Sequence, residues 1–135
     1  MAQFARPSAD TTLGTFTDQG GGTTNIYTTI DEATASDTDY IQSALAPVAS
    51  VYVSTLSSVE DPQTGSGHIF HYRYAKDAAA GAQIDLTVQL REFYISESSQ
   101  GTLIVGFTHT DISNTFTTQS QTLTAAQANS IVNYA

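Results

Sequence analysis

The chain reads as an all-β protein, an antiparallel β-sandwich with one short helical turn near its C-terminus. Three observations carry that reading. Two segments, His68 to Lys76 and Gln83 to Arg91, alternate apolar and polar side chains with a period of two, the mark of a strand with one buried face. Ser and Thr make up about a quarter of the 135 residues, and threonine suits exposed β-structure. Only one stretch, Thr124-Ala125-Ala126-Gln127, carries a helix signal, a capping box with Thr124 as N-cap and Gln127 reaching back to it.

The elements follow in order. Residues 1–12 read as a polar N-terminal arm with Phe4 as its only large apolar anchor, and residues 13–135 as one sandwich domain. Leu13 to Thr17 reads as a short strand, and the three glycines within Asp18 to Thr23 as a flexible loop. Asn25 to Ile30 places Ile26, Thr28 and Ile30 on one face and predicts a strand. An acidic turn follows, then a Val-rich strand from Val48 to Leu56. Glu60 to Gly67 is a loop punctuated by Pro62 and two glycines.

In the two alternating segments, Phe70, Tyr72 and Tyr74 share a face with His68, and Ile84, Leu86, Val88 and Leu90 share another. The short linker Asp77 to Ala82 predicts that these strands pair with each other, antiparallel. After Leu90 the alternation slips by one, with Phe93 and Ile95 apolar, which predicts a bulge or bend near Glu92. Thr102 to Thr108 and Asn114 to Thr118 complete the strands. Leu123 before the helix cap and Ala128 inside it form a small staple, and Ile131 extends the apolar side.

Composition narrows the function. A chain of this length buries roughly two-thirds of its unfolded surface and needs no staple to fold. It has no cysteine, hence no disulfide framework and no thiolate metal site. Residues 1–12 lack the apolar core of a secretory signal, so synthesis without export is expected. No apolar run approaches the roughly 20 residues that span a bilayer. Four basic residues face 13 carboxylates, a formal charge of −9. Nucleic acid and anionic membrane are thereby excluded as partners, since both are recognised through Lys and Arg.

The candidate chemistry is thin. Asp31, Glu32, Asp37 and Asp39 are the obvious calcium donors, but the segment lacks the glycine and distal Glu of a calcium loop. It reads as a solvated turn whose structural content is Tyr40 and Ile41, with no metal. His68 and His71, three apart on a strand, face opposite sides. His109 and Asp111 share a face and are placed to pair. No Gly-x-Ser-x-Gly elbow exists, and Gly65-Ser66-Gly67 is a different pattern in a loop. Phe70, Tyr72 and Tyr74 read as core, whereas Tyr52 and Tyr94 stand open between core and a sugar-stacking face. The expectation is a protein with no catalytic residue, cofactor or metal.

One further pattern runs through the chain. Arg6-Pro7-Ser8-Ala9-Asp10, Gly14-Thr15-Phe16-Thr17, Ile26-Tyr27, Ile30-Asp31-Glu32 and Asp37-Thr38-Asp39-Tyr40-Ile41 form an ordered series. Asp61-Pro62, the Gly-Ser-Gly loop, His68 to Tyr74, Leu86 to Leu90, and Leu123-Thr124 through Tyr134 continue it. The series resembles a pattern recurring in small β-rich proteins of tailed-bacteriophage structural gene clusters. Two departures stand out. Position 16 is Phe where Trp is commoner, and the pattern runs on into one more strand where this sequence stops at Ala135. Either that strand is dispensable or a neighbouring subunit covers the exposed edge.

The resemblance implies a jelly-roll-like or immunoglobulin-like sandwich with a non-enzymatic role in the virion. Within that class it implies a capsid decoration (cement) protein on the outer surface of the head, made in the host cytoplasm. Its partners would be the major capsid protein and neighbouring copies of itself in a homo-oligomer. The arm residues Phe4, Arg6 and Pro7 are the expected partner contacts. An acidic domain also sits better outside the shell than against packaged DNA, because like charges repel. The alternative is a receptor- or glycan-binding module of a tail fibre, which calls for a row of exposed aromatics.

Overall fold

The computed structural model describes residues 2–79 and 81–134; Met1, Ala80 and Ala135, in the expected arm, linker and domain end, lie outside the described residues. Among the described residues, eight strands, one 3-10 turn and one short helix follow one another. The protein is all-β in class, and among the described residues every ladder is antiparallel and two-stranded. The strand pair, rather than the complete sheet, is its building block. Where the sequence predicts one domain after an arm, the chain divides into two compact units, one running to Glu60 and the other Asp61–Tyr134.

In the first unit, β1 (Pro7–Thr12) pairs with β4 (Val53–Leu56), and β2 (Thr17–Asp18) pairs with β3 (Ile41–Gln42). Half of the expected arm is thus a strand. Pro7 stands at its first position, where a missing N–H costs little. Two register shifts bend β1 along its partner. The strand expected over Asn25 to Ile30 is instead a 3-10 turn, Ile26–Thr29, entered through Asn25 at φ 53°. Local bonding wins over alternation here. Thr28 and Thr29 hydroxyls donate to the carbonyls of Asn25 and Ile26, and Ile26 is 1% exposed beneath them.

In the second unit, β5 (Ile69–Tyr74) pairs with β8 (Thr117–Thr122) in unbroken register, and β6 (Leu86–Glu92) pairs with β7 (Thr102–His109). The expected β5–β6 hairpin does not form. Lys76 N–H donates to Ser113 O and Ile112 N–H to Ile84 O, so both strand ends are held by the turn after β7. Packing supplies the reason. Phe70, Tyr72 and Tyr74 of β5 meet Phe107 and His109 of β7 with ring centroids 4.8 to 6.3 Å apart, ladder against ladder.

The register shifts between Leu90 and Arg91, which leaves Ile104 of β7 as the extra residue. Ile104 and Val105 are consecutive yet both buried, because a bulge re-aims one side chain. They form the core with Leu123 and Ala128, joined by Phe70, Leu90, Phe107 and Ile131. The helix α1 (Ala125–Asn129) carries the capping box, with Thr124 Oγ1 accepting from Gln127 N–H and Gln127 Oε1 from Thr124 N–H. Leu123 and Ala128, the staple, fasten it to that core.

Candidate docking surface

The segment before β1 is tied down along its own unit. Gln3 and Glu60 exchange two bonds, the Gln3 amide donating to Glu60 O at 3.0 Å and accepting from Glu60 N–H at 2.7 Å. Arg6 N–H donates to Ser57 Oγ, and Ser57 N–H returns to Arg6 O. Pro7 sits opposite Leu56. Of the three expected contact residues, only Phe4 is free to reach outward, at 62% exposure. Arg6 props it, with the guanidinium 5.3 Å from the ring centroid and Nη1 donating to Asp31 O.

The larger apolar feature lies elsewhere, in a place the sequence reading partly assigned to a strand. Ser43 to Ser50 carries no charge, and its Leu45 and Val48 are 88% and 91% exposed. Pro47 is the signal that demotes this run from strand to loop. Its two ends are clasped: Thr15 Oγ1 and Ser50 Oγ lie 2.6 Å apart, and Ala44 N–H donates to Thr15 Oγ1. Gly14, at φ 54°, fits where a β-carbon would collide with Val51 O. Ala46 and Ala49 both hold left-handed backbone, at φ 50° and 48°. Non-glycine residues keep that conformation only when their surroundings demand it, at a cost of about 1 kcal/mol or more each. The loop is therefore a shaped projection that offers two large aliphatic groups to solvent.

The unit that carries these features is strongly acidic. Up to Glu60 the chain has seven carboxylates and one guanidinium, a formal charge of −6 against −3 for the remainder. Asp10 and Asp18 do structural work. Asp10 accepts from Ile26 N–H, Tyr27 N–H and Tyr52 OH, and burial, reinforced by that last bond and the Asp10 charge, holds the Tyr52 phenol well above the ordinary tyrosine range. Asp18 Oδ1 accepts from Gly20 and Gly22 N–H and closes the glycine loop.

In the acidic turn, as elsewhere among the described residues, no group of three or more His, Asp or Glu side chains comes together in a way that could hold an ion. Burial pushes the Glu32 carboxyl up, reinforced by Asp39 and Asp31 and opposed by its own backbone hydrogen bond. The folded chain therefore binds more protons than the unfolded one above pH 4.5, and stability falls as pH rises through that window. Glu32→Gln is expected to gain a few tenths of a kcal/mol at pH 7, with the gain gone near pH 4. Urea midpoints at the two pH values measure it; an equal gain at both would sink the titration argument.

The remaining candidates separate. His68 Nε2 lies 3.2 Å from Tyr134 OH, and His71 Nδ1 lies 2.9 Å from Ser120 Oγ. His109 does not pair with Asp111. Its Nε2 lies 2.7 Å from Tyr72 OH, while Asp111, turned away at φ 49°, bonds Lys76 at 2.9 Å. Ser66 Oγ meets Thr64 Oγ1 at 3.1 Å. Tyr52 is half-buried against Phe16 and Asp10, which resolves it as framework. No protein-family model, curated protein or solved structure matches this chain.

Proposed function

We propose that the chain is a non-enzymatic structural protein of a phage particle, a decoration protein that docks on the outer face of the capsid. The clasped, charge-free loop Ser43 to Ser50 carries this reading. A side chain as large as Leu45 or Val48 contributes about 1.5 to 3 kcal/mol when moved from water into a partner's apolar pocket. The loop's fixed backbone means little ordering entropy is lost on docking. Phe4, propped by Arg6, is a second anchor of the same kind. The acidic character of this unit suits a partner surface with a basic rim. A tail-fibre glycan module calls instead for a row of exposed rings; the row Phe70, Tyr72 and Tyr74 packs ring to ring with Phe107 and His109.

The double variant Leu45→Ser, Val48→Ser tests it. Purified heads of the parent phage lacking the protein would be titrated with each form and the bound copies counted after sedimentation. Occupancy is expected to fall at least tenfold at limiting concentration, with the unfolding midpoint within about 0.5 kcal/mol of the parent protein because neither side chain is packed. Undiminished occupancy would reject the loop as the docking element. Phe4→Ser is the informative change in the N-terminal segment. Removing residues 1–12 would take away β1 and the Asp10 cap and confuse folding with binding.

A further inference from the structure

A two-stranded ladder leaves two outer edges, each a row of backbone N–H and C=O groups able to pair with another strand. Folded chains blunt such edges with charge, proline, bulges or brevity. Most strands here carry one of these devices. β1 begins at Pro7, holds Asp10 and shifts register twice, while β2 and β3 have two residues each and β4 has four. β5 carries Arg73, β6 ends on Arg91 and Glu92, and β7 contains the bulge at Ile104. β8, Thr117-Thr118-Gln119-Ser120-Gln121-Thr122, has none of them. Its register with β5 is unbroken, and among the described residues β5 is the one strand it pairs with. From Ile112 to the end of the sequence there is no Asp, Glu, Lys, Arg or His, in a chain of formal charge −9.

The phase of the open edge follows from one bond. Leu123 N–H donates to His68 O, directly opposite it in the register that pairs Thr122 with Ile69. Opposed residues in an antiparallel ladder alternate between exchanging both backbone bonds and turning both groups away. Gln121, Gln119 and Thr117 therefore bond to β5, while Thr122, Ser120 and Thr118 present N–H and C=O outward. The outward three are exposed and carry only hydroxyl side chains. Two of those hydroxyls lean toward β5 and leave the edge clear. Ser120 Oγ lies 2.9 Å from His71 Nδ1, and Thr118 Oγ1 accepts from Arg73 Nη1 at 2.7 Å. On the other face Gln119 is held at both ends of its amide, donating to Tyr74 OH and accepting from Gln121. The edge is fixed before any partner arrives, so little ordering entropy is lost on pairing.

We propose that β8 is a dimerisation edge, to which a second copy of this chain adds its own β8, antiparallel, about a two-fold axis through Ser120. In that register Ser120 meets its counterpart and Thr118 meets Thr122 of the second copy. Every outward N–H of one strand then finds an outward C=O of the other. Charge argues for self-pairing at this strand. Two copies at −9 repel wherever carboxylates meet, whereas a β8 pair brings together only hydroxyls, amides and backbone. An uncharged strip also gives a charged partner strand nothing to balance its charge. The interface is small, so the dimer is weak and reversible, with a dissociation constant of roughly 10 to 100 μM. It uses neither Leu45 nor Val48, and its failure would leave the capsid reading untouched.

Sedimentation velocity of the full chain, from about 1 μM to about 1 mM, tests it together with amide hydrogen exchange. A monomer–dimer equilibrium is expected. Across the same range, exchange at Thr118, Ser120 and Thr122 is expected to slow about fivefold, while Gln119 and Gln121, already bonded to β5, stay unchanged. This alternate pattern is read on the parent chain, so it decides the matter even where a variant folds poorly. Ser120→Lys sets like charges opposite each other at the axis and is expected to weaken the dimer about fivefold or more, although it lowers the net repulsion between copies. Ser120→Asp weakens it as well, and mixing the two variants is expected to restore pairing as a heterodimer. A parent chain that stays monomeric, a dimer without added protection at the three alternate amides, or Ser120→Lys pairing as tightly as the parent would each overturn the proposal.

Discussion

Replacing Asp10 by alanine is expected to destabilise the first unit by about 3 kcal/mol, a shift in thermal midpoint on the order of 10 °C. Three donors converge on this one side chain. Ile26 N–H reaches Oδ2 at 2.8 Å, while Tyr27 N–H and Tyr52 OH reach Oδ1 at 2.9 Å each. Two of them are the first amides of the 3-10 turn, which has no side-chain cap of its own from Asn25. Asp10 caps it from another element. A hydrogen bond to a charged acceptor contributes about 1.5 to 3 kcal/mol, and bonds sharing one acceptor do not add. Ile26, buried at 1% exposure in the first unit, depends on that turn for its position. Asn at position 10 keeps one acceptor and is expected to recover about half of the loss. Chemical denaturation gives the stability, and hydrogen exchange at Ile26 and Tyr27 localises it. A change below about 0.5 kcal/mol, or unaltered exchange at those amides, would show that water replaces the carboxylate.

Glu92→Ala is expected to cost a similar amount, about 3 kcal/mol, and to release the segment after α1. Glu92 is 8% exposed, and its Oε1 accepts from Val132 N–H at 2.8 Å and Asn133 N–H at 2.6 Å. A buried carboxylate bridging two backbone amides turns the C-terminal segment back onto the end of β6. Ile131, the last residue packed on the core cluster, leads directly into that clamp. Without it, two part-buried N–H groups lose their acceptor and Ile131 loses its tether. Glu92→Gln preserves the acceptor oxygen without the charge and is expected to cost about 1 kcal/mol. Limited proteolysis after Ser130 and exchange at Val132 and Asn133 report the release. Proteolysis at the parental rate would refute the clamp.

Much of the fold was legible because its signals are local. The capping box at Thr124 and Gln127 needs residues only three apart, and it forms as read. The slip in alternation after Leu90 marked a real irregularity, though the extra residue is Ile104 on the facing strand. The row Phe70, Tyr72 and Tyr74 was legible as core because a strand places every second side chain on one face. Asn25 to Ile30 misled because alternation was its only strand signal, and an acid fifteen residues before that segment was invisible in that window. The β5–β6 hairpin misled for a related reason. A short linker permits pairing but cannot outweigh ring packing between β5 and β7.

The sites follow the same division. Val48 looked like a strand residue, and Leu45 drew no reading at all, because exposure is not written in a sequence. It follows from the clasp between Thr15 and Ser50, thirty-five residues apart. Phe4 stood out in the sequence as the one large apolar group of the polar segment before β1, and its exposure is what the structure adds. Composition, period-two alternation and a three-residue cap determined the class of this protein, its acidity and the helix after Thr124. Which strands pair, which acids turn inward as caps and clamps, and which apolar groups stay outside were decided by tertiary structure. Each of these depends on contacts between residues tens of positions apart, where closing the chain costs entropy that only specific packing and hydrogen bonding repay.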